Sequence, residues 1–307
     1  MRLRKVILIL LGLFAFSFLH AQQEPQFSQN MFNKLANNPG FAGSNGAICA
    51  TVLHRSQYMG LEGAPKTLNF SVDAPMPFLR GGVGLNVVKD GIGPFSTIAI
   101  KGIYAYRTEI GSGQLGAGIS LGMYQSGIDG GYLRYDNSNG IDQALPEGNV
   151  QGSKLDFGAG LYFNTQDAYI GVSTAHITEP VIEWSDASET FNLERHYFLI
   201  SGYYYAINPT ISINPSIYLK SDGATSQLDI NTNVIYNDLI WSGVSYRLNE
   251  GLVALAGMNI TDDLKFGLAY DITIGSELPN SLEFMLGYCF KIKYTRPDSK
   301  YKNPRFL

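Results

Sequence analysis

Charge is sparse in this chain. Asp, Glu, Lys and Arg make up 16% of its 307 residues and leave a formal net charge of −4. A mildly acidic balance excludes a protein held on nucleic acid by phosphate neutralisation. Cysteine is scarcer still: Cys49 and Cys289 are too few for a disulfide scaffold or a thiolate metal cluster. Of the four histidines, His20 lies in the N-terminal region, and His54, His176 and His196 stand far apart with no second ligand at zinc spacing. Solvated or hydrogen-bonded roles are expected for those three. No internal apolar run approaches the roughly 20 residues of a membrane helix. The one long apolar run is Val6 to Leu19, preceded by Arg2, Arg4 and Lys5 and followed by His20-Ala21-Gln22. That is the layout of a cleavable secretory signal peptide, with cleavage expected after Ala21. No Cys follows the run, which argues against a lipoprotein anchor.

Glycine and aromatics are plentiful, with 34 Gly, 19 Tyr and 17 Phe. Their arrangement is more telling than their number. From Leu264 to Ile274, Leu264, Phe266, Leu268, Tyr270, Ile272 and Ile274 alternate with small or polar residues. From Leu282 to Ile292 the same period returns through Phe284, Leu286, Tyr288 and Phe290. Side chains alternate across a strand, so a segment of about ten residues that is apolar on one side and polar on the other reads as a transmembrane β-strand. About fourteen such strands, with twelve to sixteen allowed, are predicted at 47–56, 65–74, 81–89, 95–108, 113–126, 153–163, 167–176, 195–206, 210–221, 224–236, 239–249, 251–260, 263–275 and 281–292. The expected fold is all-β, a transmembrane antiparallel β-barrel.

Loop lengths point the same way. Connections after even strands are tight, as at Asn237-Asp238, whereas both long ones, 127–152 and 177–194, follow odd strands. Bacterial outer-membrane barrels place long loops outside the cell and tight turns in the periplasm, so both termini are expected in the periplasm. The expected division is a signal peptide at 1–21, a periplasmic lead outside the barrel wall at 22–46, the barrel at 47–292 and a basic tail at 293–307.

The polar parity carries Lys101, Arg107, Lys154, Asp156, Lys220, Asp229, Arg247, Lys265, Asp271 and Glu283. Opposite charges at close quarters pair, which predicts a narrow or plugged lumen. Tyr104, Tyr106, Tyr203, Tyr205, Tyr236 and Tyr246 fall near strand ends, where interfacial girdles form. Cys49 and Cys289 share the polar parity in the first and last strands, which closure makes neighbours. Two unpaired buried thiols are the expectation, and a disulfide across the seam is the alternative.

Signals of chemistry are weak. Gly118-Ile119-Ser120-Leu121-Gly122 spells G-x-S-x-G, but a nucleophile elbow needs a sharp strand-to-helix turn, and this stretch lies within a predicted strand. Asp129, Asp136, Asn137, Asn139 and Asp142 make the first long loop oxygen-rich without the spacing of a calcium loop. No enzyme, cofactor or metal is expected.

The blocks Gln26-Phe27-Ser28-Gln29-Asn30 and Asn37-Asn38-Pro39-Gly40-Phe41 are similar to the opening of the PorP/SprF family of outer-membrane proteins. The likeness continues through His54-Arg55-Ser56-Gln57-Tyr58, Asp90-Gly91-Ile92-Gly93-Pro94, Trp241-Ser242-Gly243 and Gly267-Leu268-Ala269-Tyr270-Asp271. It covers about residues 22–292, with Tyr58 standing where a Trp is commoner. This resemblance implies a non-enzymatic part in type IX secretion and gliding motility. The implied partners are a secreted adhesin or effector bearing a type IX C-terminal domain, other secretion-system subunits, a periplasmic peptidoglycan-binding subunit and outer-membrane lipid, with no nucleic acid. Within the first long loop, Tyr132, Leu133, Arg134 and Tyr135 are the candidate contacts, since aromatics and Arg dominate interface energetics. Packing of that loop onto the barrel mouth is the competing role. In the tail, Arg296, Lys300, Lys302 and Arg305 are candidates for docking an acidic periplasmic partner. A passive porin or small-solute channel is the alternative function.

Overall fold

The computed structural model describes residues 24–133, 148–184, 190–274 and 277–291. Strands β1 (Ile48–Ser56), β2 (Lys66–Met76), β3 (Gly81–Ile92), β4 (Phe95–Ile110), β5 (Gly113–Asp129), β6 (Asn149–Asn164) and β7 (Ala168–Ala175) pair in chain order. β8 (Val181–Glu183) and β9 (Thr190–Asn192) form a separate hairpin. β10 (His196–Tyr203) and the short β11 (Tyr205–Ala206) share one stave beside β12 (Ile211–Ser221). β13 (Ser226–Tyr236), β14 (Ile240–Arg247), β15 (Gly251–Asn259), β16 (Leu264–Thr273) and β17 (Ser281–Phe290) complete the wall. β17 then pairs antiparallel with β1 and closes a barrel of 14 strands. Closure satisfies every strand edge, which a bilayer demands.

The predicted parity is the observed one. On β5, Ile119, Leu121 and Met123 point outward at 63%, 53% and 44% exposure. On β13 the outward Ile230 and Val234 alternate with the buried Asp229, Asn231 and Asn233. Such a band around a whole barrel far exceeds the apolar patches a soluble protein exposes; against lipid it costs nothing. The connections on one rim are all short, as at Asn237 and Asp238, whose φ values of 52° and 54° give the left-handed turn. The connections that follow β5 and β7 leave from the other rim.

Three expectations need correction. The segment read as one strand over 195–206 is interrupted at Tyr204. The loop 177–194 carries the hairpin β8–β9, whose three-residue strands are too short to show a period. The third correction is larger: the lead read as lying outside the wall runs inside the lumen from Glu24 onward. Ser28, Gln29, Asn30, Asn33 and Asn38 are buried there together with Phe27, Met31, Leu35 and Phe41. The physical reason is that the barrel interior is itself polar, so an Asn- and Gln-rich segment finds its partners inside.

The seam also departs from expectation. Cys49 and Cys289 lie directly opposite in the β1–β17 register and are joined in a disulfide. The sequence places both on one face, but only the register brings them together. The signal peptide 1–21 lies outside the described residues.

Candidate functional site

The plug is built from short local structures. A 3-10 turn at Asn30–Phe32, one helical turn at Lys34–Asn37 and a 3-10 turn at Pro39–Phe41 follow one another. Asn38 ends the helical turn and caps the next: its Oδ1 accepts from the Gly40 N–H at 2.8 Å. Its Nδ2 donates to the carbonyls of Leu161 and Val172 on the wall at 3.0 and 3.3 Å. This is the Asn-Asn-Pro-Gly turn signal, used to fasten a plug. Gly116 and Gly118 of β5 let it approach, because a Cβ on either would meet the backbone of Pro39 or Gly40. The G-x-S-x-G stretch therefore lies within a strand, as expected, and its first glycine makes room for the plug. Around Phe27 and Met31 pack Leu53, Trp241, Val253, Leu255 and Met285, and around Leu35 and Phe41 pack Ile103, Tyr162 and Ile200. Burying each such side chain contributes about 1.5–3 kcal/mol.

Two charge clusters hold the plug to the wall. In the first, Arg55 of β1 pairs with Asp271 of β16 at 2.6 Å and Glu283 of β17 at 3.4 Å. Arg247 of β14 pairs with the same Asp271 at 3.0 Å and with Asp229 at 3.3 Å. Ser28 sits at the centre. Its hydroxyl donates to Asp271 at 2.7 Å and accepts from Arg55 and Arg247 at 2.7 and 3.2 Å. The backbone N–H groups of Ser28 and Gln29 donate to the two oxygens of Glu283 at 2.8 and 2.9 Å. One turn of plug thus joins the first strand to the last two.

The second cluster is centred on Glu24. Its carboxylate meets Lys101 of β4 at 3.3 Å and His176 at 2.7 Å, and its carbonyl accepts from Lys220 of β12 at 3.1 Å. Lys101 and His176 also pair with Asp156 of β6, at 3.4 and 2.9 Å. Burial pushes the Glu24 carboxyl up, but Lys101 and His176 outweigh it and hold it well below its usual value. Burial likewise pushes His176 down, while Asp156 and Glu24 together raise it above its ordinary 6.5. Deeper in the plug, Lys34 lies 4.3 Å from the Tyr169 ring centre and 5.7 Å from that of Phe41. Its ammonium is pushed down to about 8 by burial, with repulsion from Lys265 adding to it.

The long-loop mouth is unevenly covered. On one side β8–β9 folds over it, burying Ile182, Trp184 and Leu193 against Ala99, Tyr124 and Val150. On the other side a cleft of about 260 Å³ stays open. Arg55, Arg247 and Asp271 lie at its floor, with Tyr58, Ile272 and Leu278 among its walls.

Of the residues singled out in sequence, Lys101, Asp156, Lys220, Asp229, Arg247, Asp271 and Glu283 meet in these clusters, whereas Arg107 bonds Gln114, Asn164 and the Gly40 carbonyl instead and Lys154 is exposed. His176 and His196 are buried; His176 joins the Glu24 cluster and His196 contacts the Glu194 carbonyl at 2.9 Å. Tyr106, Tyr203, Tyr205 and Tyr236 lie exposed near the tight-turn rim, as a girdle requires. Tyr132 and Leu133 fall in a single helical turn, Gly130–Leu133, beside the long-loop rim. Arg134 and Tyr135 lie outside the described residues, as do Arg296, Lys300, Lys302 and Arg305. Glu24, Ser28 and Arg55 were missed. Arg55 shares the parity of Leu53 and Cys49 in β1 and was readable as a lumen charge; Glu24 carries no period.

Among the described residues no group of His, Cys, Asp and Glu could hold a metal ion. No described helix is long and apolar enough to cross a membrane.

Comparison with known proteins agrees with the fold. The CymD monoaromatic hydrocarbon channel superposes with a TM-score of 0.52 at 10% identity, covering 85% of this chain and 93% of CymD. The Pseudomonas putida toluene transporter TodX covers 85% of this chain and 93% of its own, at 11% identity and a TM-score of 0.47. The KdgM porin aligns over 79% of this chain and 99% of its own, at 11% identity and a TM-score of 0.39. At such identities the likeness to CymD shows a shared barrel fold, and the two weaker superpositions carry no argument. No curated protein matches the chain. The sequence profile of the family described as "Type IX secretion system membrane protein PorP/SprF" matches residues 19–288. The match spans the plug and nearly all of the closed outer-membrane barrel, and the chain belongs to the PorP/SprF family of type IX secretion system membrane proteins.

Proposed function

We propose that this protein is a plugged docking barrel that holds a secreted adhesin or effector, bearing a type IX C-terminal domain, at the cell surface. The observation that carries the reading is the lumen: residues 24–46 run through it, ion-paired through Glu24 to β4 and hydrogen-bonded through Ser28 and Gln29 to β16 and β17. A barrel built for diffusion would leave that space to water. The long-loop mouth instead offers, on the side away from the folded hairpin, a cleft over buried arginines, a concave and partly apolar surface of the kind that takes a partner's side chains.

In this reading the long loops face outward and the tight turns face the periplasm. The signal peptide 1–21 delivers the chain to the outer membrane, and loop residues Tyr132, Leu133, Arg134 and Tyr135 extend the docking surface beyond the cleft. The tail residues Arg296, Lys300, Lys302 and Arg305 reach a periplasmic, peptidoglycan-associated subunit of the secretion system. Support of gliding motility follows if the held protein is an adhesin. The porin alternative requires the plug to leave, and nothing in its packing favours that.

The test is gentle extraction of a tagged barrel from its native outer membrane, with co-purifying proteins identified by mass spectrometry. Recovery of a large secreted protein bearing the type IX C-terminal domain, lost on deletion of 131–147, supports docking. A barrel that purifies alone from cells actively secreting such proteins contradicts it.

A further inference from the structure

One place in the wall lacks its ladder. β10 faces β12 with Ser201 opposite Ile217 and Gly202 opposite Ser216, and β11 resumes the same register with Tyr205 opposite Ile213. Pro215 stands between these points and has no N–H to give. On the other side Tyr203 keeps its place opposite Ala168 of β7, and the Tyr204 N–H continues that ladder to the Asp167 carbonyl at 2.6 Å. The pairing of β10 with β12 is interrupted between these points.

A pocket of about 530 Å³ lies on this gap, within the roughly 300–1,000 Å³ of small-ligand sites. Its rim is formed by Ile170, Tyr203, Ile217 and Ile230, which point out of the barrel at 50%, 48%, 39% and 50% exposure. Its inner end is closed by Tyr169, whose ring covers Gly202 so closely that a Cβ there would collide with it. Lys34 of the plug backs the same ring. The pocket is therefore blind: it opens on the membrane and leads nowhere. It lies in the tight-turn half of the wall, since Ala168 begins β7 and Tyr203 ends β10.

An apolar hollow facing hydrocarbon is not left empty, because its lining would forfeit dispersion contacts, and water there has few polar partners. We propose that this pocket holds one acyl chain of a membrane phospholipid from the leaflet on the tight-turn side, as a resident ligand distinct from freely exchanging boundary lipid. The occupant is a chain rather than a soluble apolar molecule because the only approach is through the bilayer. The blind end makes it a binding site and not a route into the lumen.

The full barrel, extracted in mild detergent and exchanged repeatedly into fresh detergent, is examined by native mass spectrometry for bound phospholipid. About one phospholipid per barrel is expected to resist exchange. Ile217→Trp, which fills the hollow from its rim, should lower that retention at least tenfold. Ile100→Trp, the same change at an outward isoleucine of β4 with 41% exposure, should leave it intact. Heat-modifiable migration in gels confirms that each variant is folded. Ile230→Phe, a smaller addition on the neighbouring strand, replaces Ile217→Trp if the latter fails to fold. A wild-type barrel stripped of lipid by exchange, or equal retention in the filled and control variants, overturns the proposal.

Discussion

Replacing Glu283 by Ala removes both carboxylate oxygens that accept the Ser28 and Gln29 N–H groups, at 2.8 and 2.9 Å. Each N–H left buried without an acceptor costs about 1–3 kcal/mol. Arg55 also loses one of its two carboxylates but keeps Asp271, so the cost stays below the roughly 3–5 kcal/mol of a buried charge stripped of its only partner. These losses share one site and do not add. About 3 kcal/mol is therefore expected, close to a hundredfold in the local opening equilibrium at roughly 1.4 kcal/mol per tenfold. Amide hydrogen exchange followed by mass spectrometry reads that equilibrium for the plug peptide apart from the wall. Exchange over residues 26–33 should accelerate about a hundredfold while β4 to β6 stay protected. Glu283→Gln, which keeps one acceptor oxygen, should fall between. Unchanged protection of 26–33 in Glu283→Ala would refute the idea that this cluster fastens the plug.

Further outcomes follow from the same contacts. Plug protection should depend on pH with opposite signs at two groups of the Glu24 cluster: Glu24, whose value is depressed, stabilises above its ordinary 4.5 and loses that contribution as pH falls through its lowered value. His176, whose value is raised, contributes fully below 6.5 and loses it as pH rises through its elevated value. Exchange corrected for intrinsic rates should thus show a plateau of protection between these limits, and a monotonic trend would contradict it. Reducing Cys49–Cys289, or replacing both by Ser, releases a loop of 240 residues and should lower the thermal midpoint, with chain entropy setting an upper bound of roughly 5 kcal/mol. An unchanged midpoint would show that ladder closure alone holds the seam. Gly118→Leu puts a side chain where Pro39 and Gly40 lie against the wall and should raise exchange over 37–42, with full protection there contradicting the packing.

The wall was legible because a bilayer outside and a polar interior impose a period of two on every stave, and β16 and β17 show it over their whole length. The tight turns carried their own chemistry, as at Asn237-Asp238. The plug was not legible for the converse reason. A segment that meets polar wall groups and small apolar clusters in turn shows no long apolar run, so Gln22 to Gly46 reads as solvated although Phe27, Met31, Leu35 and Phe41 recur through it and pack on the wall. The mixed lumen charges hinted at an occupied interior without naming the occupant. Pro215 was a readable warning inside the stretch 210–221, since proline cannot join a ladder; its consequence, the gap beside Tyr204, depends on which strand lies opposite. Cys49 and Cys289 needed register for the same reason: parity gave the face, and only pairing gave the bond.

Conductance in a planar bilayer tests the central claim most directly. The intact wild-type barrel is expected to stay closed, and a folded variant with the plug fastenings removed, Ser28→Ala combined with Glu283→Ala, is expected to pass ions. Steady porin-like conductance in the wild type would contradict a plugged docking barrel and favour the channel.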